Sequence, residues 1–114
     1  MWNIIYYQNH LNKKFPVQDF IDSLDENAKA KIINSIDLLE EFGIKLTSVH
    51  TKKLAGTPLW ELRVLGRDNI RIFYIAVVNK SFLLLHGFLK KKQKTDKKEI
   101  NTALIRLKDY QMHS

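Results

Sequence analysis

The fold is decided by the segment 59–99, which reads LWELRVLGRDNIRIFYIAVVNKSFLLLHGFLKKKQKTDKKE. It contains three runs rich in Leu, Ile, Val, Phe and Tyr, a composition typical of β-strands. Arg63 and Arg71 lie within these runs, and the segment ends in a cluster of lysines. The sequence therefore predicts a sheet that carries cationic side chains, an arrangement suited to binding phosphate.

In the first of these runs, the alternation of apolar and polar residues assigns the side chains to the two faces of the sheet. Trp60, Leu62 and Val64 are predicted to point toward the core, and Glu61 and Arg63 away from it. Trp60 is accordingly interpreted as a core residue rather than as a platform for stacking bases. Arg63 has two interpretations, a cation that clamps phosphate or a solvated charge on the outer face.

The second run, residues 70–78, is apolar on both faces, which indicates a central strand. Arg71 is the exception in this run, because a guanidinium group in a buried strand must be paired or must reach the surface. We expect Arg71 to clamp phosphate, to form a salt bridge with Glu61 across the strands, or to do both. Tyr74 is out of phase with Arg71 and is expected on the opposite face.

The connections carry turn-forming residues. Residues 44–57 are predicted to form a loop with room for a short helical turn, and residues 66–69 to form a turn. Asn79 and Lys80 predict a tight turn that leads into the last strand, Ser81–Leu89, since Asn tolerates positive φ.

Outside the segment 59–99, residues 3–7 predict a short strand, and apolar residues that recur with a period of 3.6 predict three helices. Their apolar stripes are Val17, Phe20, Ile21 and Leu24 in the first helix, Ala28, Ile32, Ile36 and Leu39 with neighbouring Ile33 in the second, and Ile100, Ala103, Leu104 and Leu107 in the last. Either Asp25 or Ser23 is expected to cap the second helix, and Gly43 to end it.

Together these elements predict an α+β fold in the order β-α-α-β-β-β-α. Two N-terminal helices are expected to pack on a small antiparallel sheet, followed by a C-terminal helix. Asp96 with Glu99 three residues later resembles a capping box at the start of that last helix. A length of 114 residues suits a single domain, 1–114.

The composition narrows the classes of function. Lys and Arg number 19 against 12 Asp and Glu, and the resulting formal charge of +7 favours an anionic partner such as nucleic acid or an acidic protein. The absence of cysteine excludes disulfides, thiolate zinc sites and cysteine nucleophiles. His10, His50 and His113 lack the spacing of metal ligands, so we predict no metal and no cofactor. Without a signal peptide or a membrane-spanning run, a cytoplasmic protein is expected.

Three motifs in combination resemble a known family. The string LWELR is followed by IRIFY and by LLLHGFLKKKQKTDKKEI, and the terminal helix contains Ala103 and Arg106. In these motifs and in its order of elements, the chain resembles RelE/HigB-type toxins of bacterial type II toxin–antitoxin systems, in particular the phage-related HigB branch. It differs from that branch at Lys92 and Asp96, where Thr and Pro are usual, and it carries Glu61 where the RelE branch has strand lysines that serve as bases.

The resemblance implies a RelE-like fold and a metal-independent endoribonuclease that cuts mRNA during translation on the ribosome. It also implies contacts with ribosomal RNA and with a cognate helix-turn-helix antitoxin that holds the toxin inactive. Two alternatives remain open: a ParE-like toxin that inhibits DNA gyrase, and a non-catalytic basic RNA-binding module.

Metal-free RNA cleavage requires that the 2′-hydroxyl lose a proton, that the phosphate gain negative charge and that the 5′-oxygen gain a proton. The candidate catalytic residues are Arg63, Arg71, Lys91, Lys94 and His86. For His86 the alternative is a hydrogen-bonded structural role. The predicted RNA-binding residues are Lys52, Lys53, Lys90, Lys92, Lys97 and Lys98, of which the last four are interpreted as a solvated basic patch. The sequence does not assign the general base.

Overall fold

The computed structural model describes residues 1–46, 49–64, 66 and 69–113. Its elements are β1 (Asn3–Tyr6), α1 (Pro16–Asp22), α2 (Glu26–Phe42), a short 3₁₀ helix (Gly43–Lys45), β2 (Thr51–Lys53), β3 (Trp60–Val64), β4 (Ile70–Val77), β5 (Ser81–Leu89) and α3 (Lys97–His113). The predicted α+β class and the predicted order of elements are confirmed. Within the expected loop 44–57, the short helical turn is present, and the strand β2 is an addition that the sequence did not reveal.

The strands form one five-stranded sheet in the order β1-β5-β4-β3-β2. β4 lies at its centre, as its apolar faces predicted. The sheet is mixed rather than wholly antiparallel, because β1 pairs in parallel with β5 while the other neighbours pair antiparallel. A β-bulge between Phe73 and Tyr74 shifts the register, so that Phe73 pairs with His86 and Tyr74 with Leu84.

The turns agree with the sequence where they can be compared. Asn79 and Lys80 both have positive φ, 63° and 53°, in the tight turn between β4 and β5. Of the predicted turn 66–69, residues 67 and 68 lie outside the described residues, and Gly66 and Asn69 both have positive φ.

Two hydrophobic cores cover the two faces of the sheet. The core between the sheet and helices α1 and α2 contains Val17, Ile21, Ala28, Ile32, Ile36, Leu39, Leu62, Val64, Ile70, Ile72, Tyr74, Phe82 and Leu84. The core on the opposite face, where α3 packs, contains Tyr7, Leu59, Phe73, Leu83, Leu85, Phe88, Ala103 and Leu107. Tyr74 and Arg71 therefore lie on opposite faces, as predicted. Glu61 is only 2% exposed although it points away from the first core.

Two residues predicted for the core lie at its margin. Trp60 is 39% exposed and lines an open cavity of about 690 Å³ together with Ile44 and Leu46, in the segment that follows α2. Ile33, beside the apolar stripe of α2, is 48% exposed. Strand alternation and helical period identify the direction of a side chain, but they do not indicate how far a packing helix extends over it.

The helix ends are largely those expected. The Asp25 carboxylate accepts a hydrogen bond from the backbone N–H of Ala28 at 2.8 Å and caps α2, and Gly43 ends α2 with φ of 58°. α1 approaches β5 closely at Gly87, where a Cβ atom would lie 2.4 Å from the ring of Phe20. Among the described residues, no helix has the length and apolar character to cross a membrane.

Candidate functional site

The predicted arginine clamps lie side by side on the α3 face of the sheet. Arg63 on β3 and Arg71 on β4 are partners in the strand register. Glu61 Oε1 lies 3.6 Å from Arg63 Nε and 3.4 Å from Arg71 Nε, so one carboxylate faces both guanidinium groups. The salt bridge that the sequence offered as an alternative role for Arg71 is therefore present. Arg63 shares it, and is not only a solvated charge.

The pairing explains how two arginines are tolerated within strands. Adjacent guanidinium groups repel each other, and the Glu61 carboxylate, 3% exposed, supplies the counter-charge in a poorly solvated position. Arg71 Nη1 also donates a hydrogen bond to the carbonyl of Ile70 at 3.0 Å. The Nε atoms of Arg63 and Arg71 are buried without a hydrogen-bond partner in the described part of the chain. These Nε atoms face the Glu61 carboxylate at ion-pair distance, so the donors left to meet a ligand are among the terminal Nη atoms of the two guanidinium groups.

Arg71 reaches an open cavity beside the lysine-rich loop between β5 and α3. This cavity of about 410 Å³ is lined by Asn69, Arg71, Lys90, Lys91, Lys92 and Gln93. The backbone N–H of Lys90 donates to the carbonyl of Asn69 at 2.9 Å, which holds the loop close to the start of β4. The predicted clamp and the predicted basic motif thus meet at one surface.

A second cavity of about 230 Å³ adjoins the first. It is lined by Phe88, Leu89, Lys90, Lys91, Lys92, Lys94, Asp96, Lys98 and Glu99. Lys90, Lys91 and Lys92 line both cavities. Five lysines against two carboxylates make the second cavity positive, which favours an anionic ligand such as a phosphodiester.

The first turn of α3 differs from the predicted capping box. Asp96 acts as expected, since its carboxylate accepts a hydrogen bond from the Lys98 backbone N–H at 3.0 Å. The Glu99 side chain instead turns to the sheet, where its Oε1 lies 2.8 Å from His86 Nε2. The same spacing that suggested a cap thus places an acid against His86.

His86 is held at both ring nitrogens. Arg106 Nη1 lies 3.1 Å from His86 Nδ1, and Glu99 Oε1 lies 2.8 Å from Nε2. Because guanidinium can only donate, Nδ1 accepts, and in the neutral ring the proton on Nε2 is donated to Glu99. Burial lowers the pKa of His86, an effect that the neighbouring Arg106 reinforces and that the bonded Glu99 opposes. The ring also stacks on Phe88 at a centroid distance of 5.4 Å.

Arg106 and its neighbours attach α3 to the sheet. Arg106 Nη1 donates to the Leu85 carbonyl at 3.0 Å, and its guanidinium group lies 5.9 Å from the centre of the Tyr7 ring. The Tyr7 hydroxyl donates to Asp109 Oδ2 at 2.6 Å. Burial, with this hydrogen bond as the second cause, raises the pKa of Tyr7 to about 12. These contacts set the position of α3, and with it the position of Glu99.

Three predicted RNA-binding lysines lie outside the two cavities. Lys52 is the register partner of Glu61 and so leaves the sheet on the α3 side, whereas Lys53 is the partner of Trp60 on the other face. The Lys53 ammonium group donates to the carbonyl of Thr57. Lys97 is exposed at the start of α3 and does not line either cavity. In the described part of the chain, no group of three or more His, Asp or Glu side chains is placed to hold a metal ion.

Sequence reasoning assigned no site role to Glu99 or Arg106. They are seven residues apart, two helical turns, and so lie on the same side of α3 as the apolar residues that pack on the sheet. A charged pair at that spacing on a buried helix face was the available signal.

A family model described as phage derived protein Gp49-like (DUF891) matches residues 19–108, more than half of the chain. The chain belongs to this family. The Gp49-like proteins are a family of type II toxin–antitoxin toxins within the RelE/HigB-like superfamily, and membership implies an antitoxin partner. In this Gp49-like chain, the matched range contains the arginine pair, the lysine loop, His86, Glu99 and Arg106. A comparison with curated protein sequences gave no match.

Proposed function

We propose that this Gp49-like toxin is a ribosome-dependent mRNA endoribonuclease of the phage-related HigB branch. The observation that carries the proposal is the meeting of Arg71 with Lys90, Lys91 and Lys92 around one open cavity, beside a second cavity that contains Lys94 and Glu99. This arrangement offers fixed cations to a phosphodiester and titratable groups within the same small surface. Phosphate binding and proton transfer can therefore take place at neighbouring points.

The reaction needs only groups of this kind. The 2′-oxygen of the ribose attacks the adjacent phosphorus while the bond from phosphorus to the 5′-oxygen breaks, which yields a 2′,3′-cyclic phosphate and a 5′-hydroxyl. One proton leaves the 2′-hydroxyl and one is delivered to the 5′-oxygen, so the charges and atoms balance. Positioned acid–base groups contribute about 10²- to 10⁴-fold to the rate of such a step.

Arg71 and Arg63 are assigned as the clamps that stabilise the charge developing on the phosphate. Arg71 lines the cavity at the lysine loop, and Arg63 lines the larger cavity beside Trp60. Glu61 holds the two guanidinium groups in place through their Nε atoms. One preorganised donor directed at such charge contributes about 10²- to 10³-fold. Lys91 or Lys94 is assigned as the acid that protonates the 5′-oxygen. His86, whose two ring nitrogens are occupied by protein groups, is assigned a positioning role.

The remaining lysines are proposed to bind RNA without taking part in the chemistry. Lys90, Lys92 and Lys98 line the cavities, and Lys52, Lys53 and Lys97 extend the positive surface toward ribosomal RNA and mRNA. We propose that the toxin acts in the cytoplasm, where mRNA is translated, and that its antitoxin is a helix-turn-helix protein.

The test compares Arg71→Ala with Lys108→Ala, which removes one cation from an exposed position of α3 that lines neither cavity. After brief induction in cells that lack an antitoxin, we expect wild type and Lys108→Ala to arrest growth and to produce new 5′ ends within coding regions. Arg71→Ala should leave transcripts intact while its circular dichroism spectrum remains that of a folded protein. A folded Arg71→Ala protein that still cuts mRNA would remove Arg71 from the mechanism.

The same experiment separates the alternatives. A gyrase inhibitor would arrest growth with inhibited DNA supercoiling and without new transcript ends. An RNA-binding module would slow translation without producing cuts. Either pattern from the wild-type protein would contradict the proposed nuclease.

A further inference from the structure

We propose that Glu99 is the general base that removes the proton from the attacking 2′-hydroxyl, an assignment that rests on the proposed nuclease function. Three carboxylates lie close to the cations of the site: Glu61, Asp96 and Glu99. They differ in their exposure to solvent and in the groups that they already bind, and these two properties distinguish Glu99 from the other two.

Glu61 is unsuited to meet a substrate hydroxyl. Its side chain is 3% exposed, and its Oε1 faces Arg63 and Arg71 from inside the sheet. Asp96 is exposed but accepts the Lys98 N–H as the cap of α3, so moving it would uncap the helix. Glu61 thus lacks access, and Asp96 is held by a backbone N–H of the first turn of α3 rather than by a contact that fixes it to the sheet.

Glu99 combines access with a fixed position. Its side chain is 25% exposed and lines the cavity that contains Lys91 and Lys94. Oε1 accepts the His86 Nε2–H at 2.8 Å, and we therefore assign proton transfer to Oε2. A hydrogen bond to one oxygen orients the carboxylate without occupying the other.

The orientation is imposed by a chain of contacts that starts in the sheet. Arg106 binds the Leu85 carbonyl and His86 Nδ1, which fixes the histidine as the tautomer with its proton on Nε2. The His86 ring is further held by stacking on Phe88. His86 and Arg106 are thus positioning residues, and Glu99 is the group that meets the substrate.

The proton for the departing 5′-oxygen is supplied, in the proposed step, by a cationic group next to Glu99. The charged and titratable groups around it are His86 from β5, Lys90, Lys91, Lys92, Lys94 and Asp96 from the loop, and Lys98 from α3. In the proposed step the 2′-hydroxyl proton passes to Glu99 Oε2, and the ammonium group of Lys91 or Lys94 gives a proton to the departing 5′-oxygen. Exchange with solvent then restores both groups.

The experiment measures single-turnover cleavage of mRNA on purified ribosomes as a function of pH. Glu99→Gln keeps the size of the side chain and an oxygen that can accept the His86 hydrogen bond, but it cannot take up a proton. We expect its rate to fall about 10²- to 10⁴-fold and the rise of the rate with pH on the acidic side to disappear. Glu26→Gln, which removes an exposed acid from the first turn of α2, should keep the wild-type rate and profile.

The outcomes separate this assignment from the proposed function. If Glu99→Gln cleaves at the wild-type rate while Arg71→Ala does not, Glu99 is not the base and the nuclease stands. If the wild-type protein does not cleave ribosome-bound mRNA, the nuclease itself is refuted.

A second variant covers the case in which Glu99→Gln fails to fold. Glu99→Asp keeps a carboxylate and shortens the side chain by one methylene group. It should cleave more slowly than wild type and retain the acidic limb of the pH profile. A Glu99→Asp protein with wild-type rates, or one that has lost the acidic limb, would overturn the assignment.

Discussion

Replacing Glu61 with Gln removes the charge that the two strand arginines share. In the folded protein Glu61 Oε1 lies 3.6 Å from Arg63 Nε and 3.4 Å from Arg71 Nε, and the Glu61 side chain is 3% exposed. Gln preserves the shape of the side chain. In the variant, the two guanidinium groups face each other across β3 and β4 without a counter-charge.

The size of the effect follows from the burial of the three groups. Removing one partner of a buried ion pair costs about 3–5 kcal/mol. Solvent screens part of the repulsion, because Arg63 is 33% exposed and Arg71 15% exposed. We therefore expect the free energy of unfolding to fall by about 3 kcal/mol, at the lower end of that range. For a domain of this length, at about 4 °C per kcal/mol, Tm falls by roughly 12 °C.

The assay is urea unfolding followed by circular dichroism at low and at high ionic strength. High salt should restore part of the lost stability, since it screens the repulsion between the guanidinium groups. Glu26→Gln is the matched control: this acid is exposed in the first turn of α2, and its loss costs at most about 1 kcal/mol. A loss below about 1 kcal/mol for Glu61→Gln, or one that salt does not change, would refute the role of Glu61 as the shared counter-charge.

Two further predictions concern pH. Burial, and then the hydrogen bond to Asp109, raise the pKa of Tyr7 to about 12 from the 10.0 of an unfolded chain, so the stability that this group contributes is present below pH 10 and is lost as the pH rises toward 12. Tyr7→Phe should flatten that decline in urea titrations, by at most about 2.7 kcal/mol. Burial lowers the pKa of His86 below 6.5, so its contribution to stability is present above that pH and is lost as the pH falls through the lower, folded-state value. His86→Phe should flatten the acid-side decline in the same assay, and an unchanged slope would contradict a buried neutral imidazole.

The elements of the fold were largely readable from local pattern. The apolar stripes of α2 and α3 and the double-faced apolar run of β4 identified their types and order, because helical period and strand alternation are properties of neighbouring residues. β2 was missed because three residues, Thr51–Lys53, are too few to show a period. The parallel pairing of β1 with β5 was missed because it joins segments about eighty residues apart, and no local turn connects them.

The residues of the candidate site likewise include some that the local sequence indicated and some that it did not. The basic motif and Arg71 stood out because cations are unusual within apolar strands and conspicuous in a run. Glu99 was interpreted as part of a cap, since the spacing from Asp96 fits one, and nothing in the local sequence indicates that its carboxylate contacts His86. The apolar run of β4 indicated that both faces of the sheet are covered, but which residues α3 contacts depends on how α3 packs.

The sequence by itself determined the α+β class, the order of elements and the cations of the proposed phosphate site. These follow from periodicity, spacing and charge, which act over a few residues. Only the tertiary structure decided which acids meet those cations: Glu61 between the arginines of β3 and β4, and Glu99 held by His86 beside the lysine loop. Strand register and the packing of α3 bring these groups within hydrogen-bond or ion-pair distance, and both depend on contacts between parts of the chain that are distant in sequence.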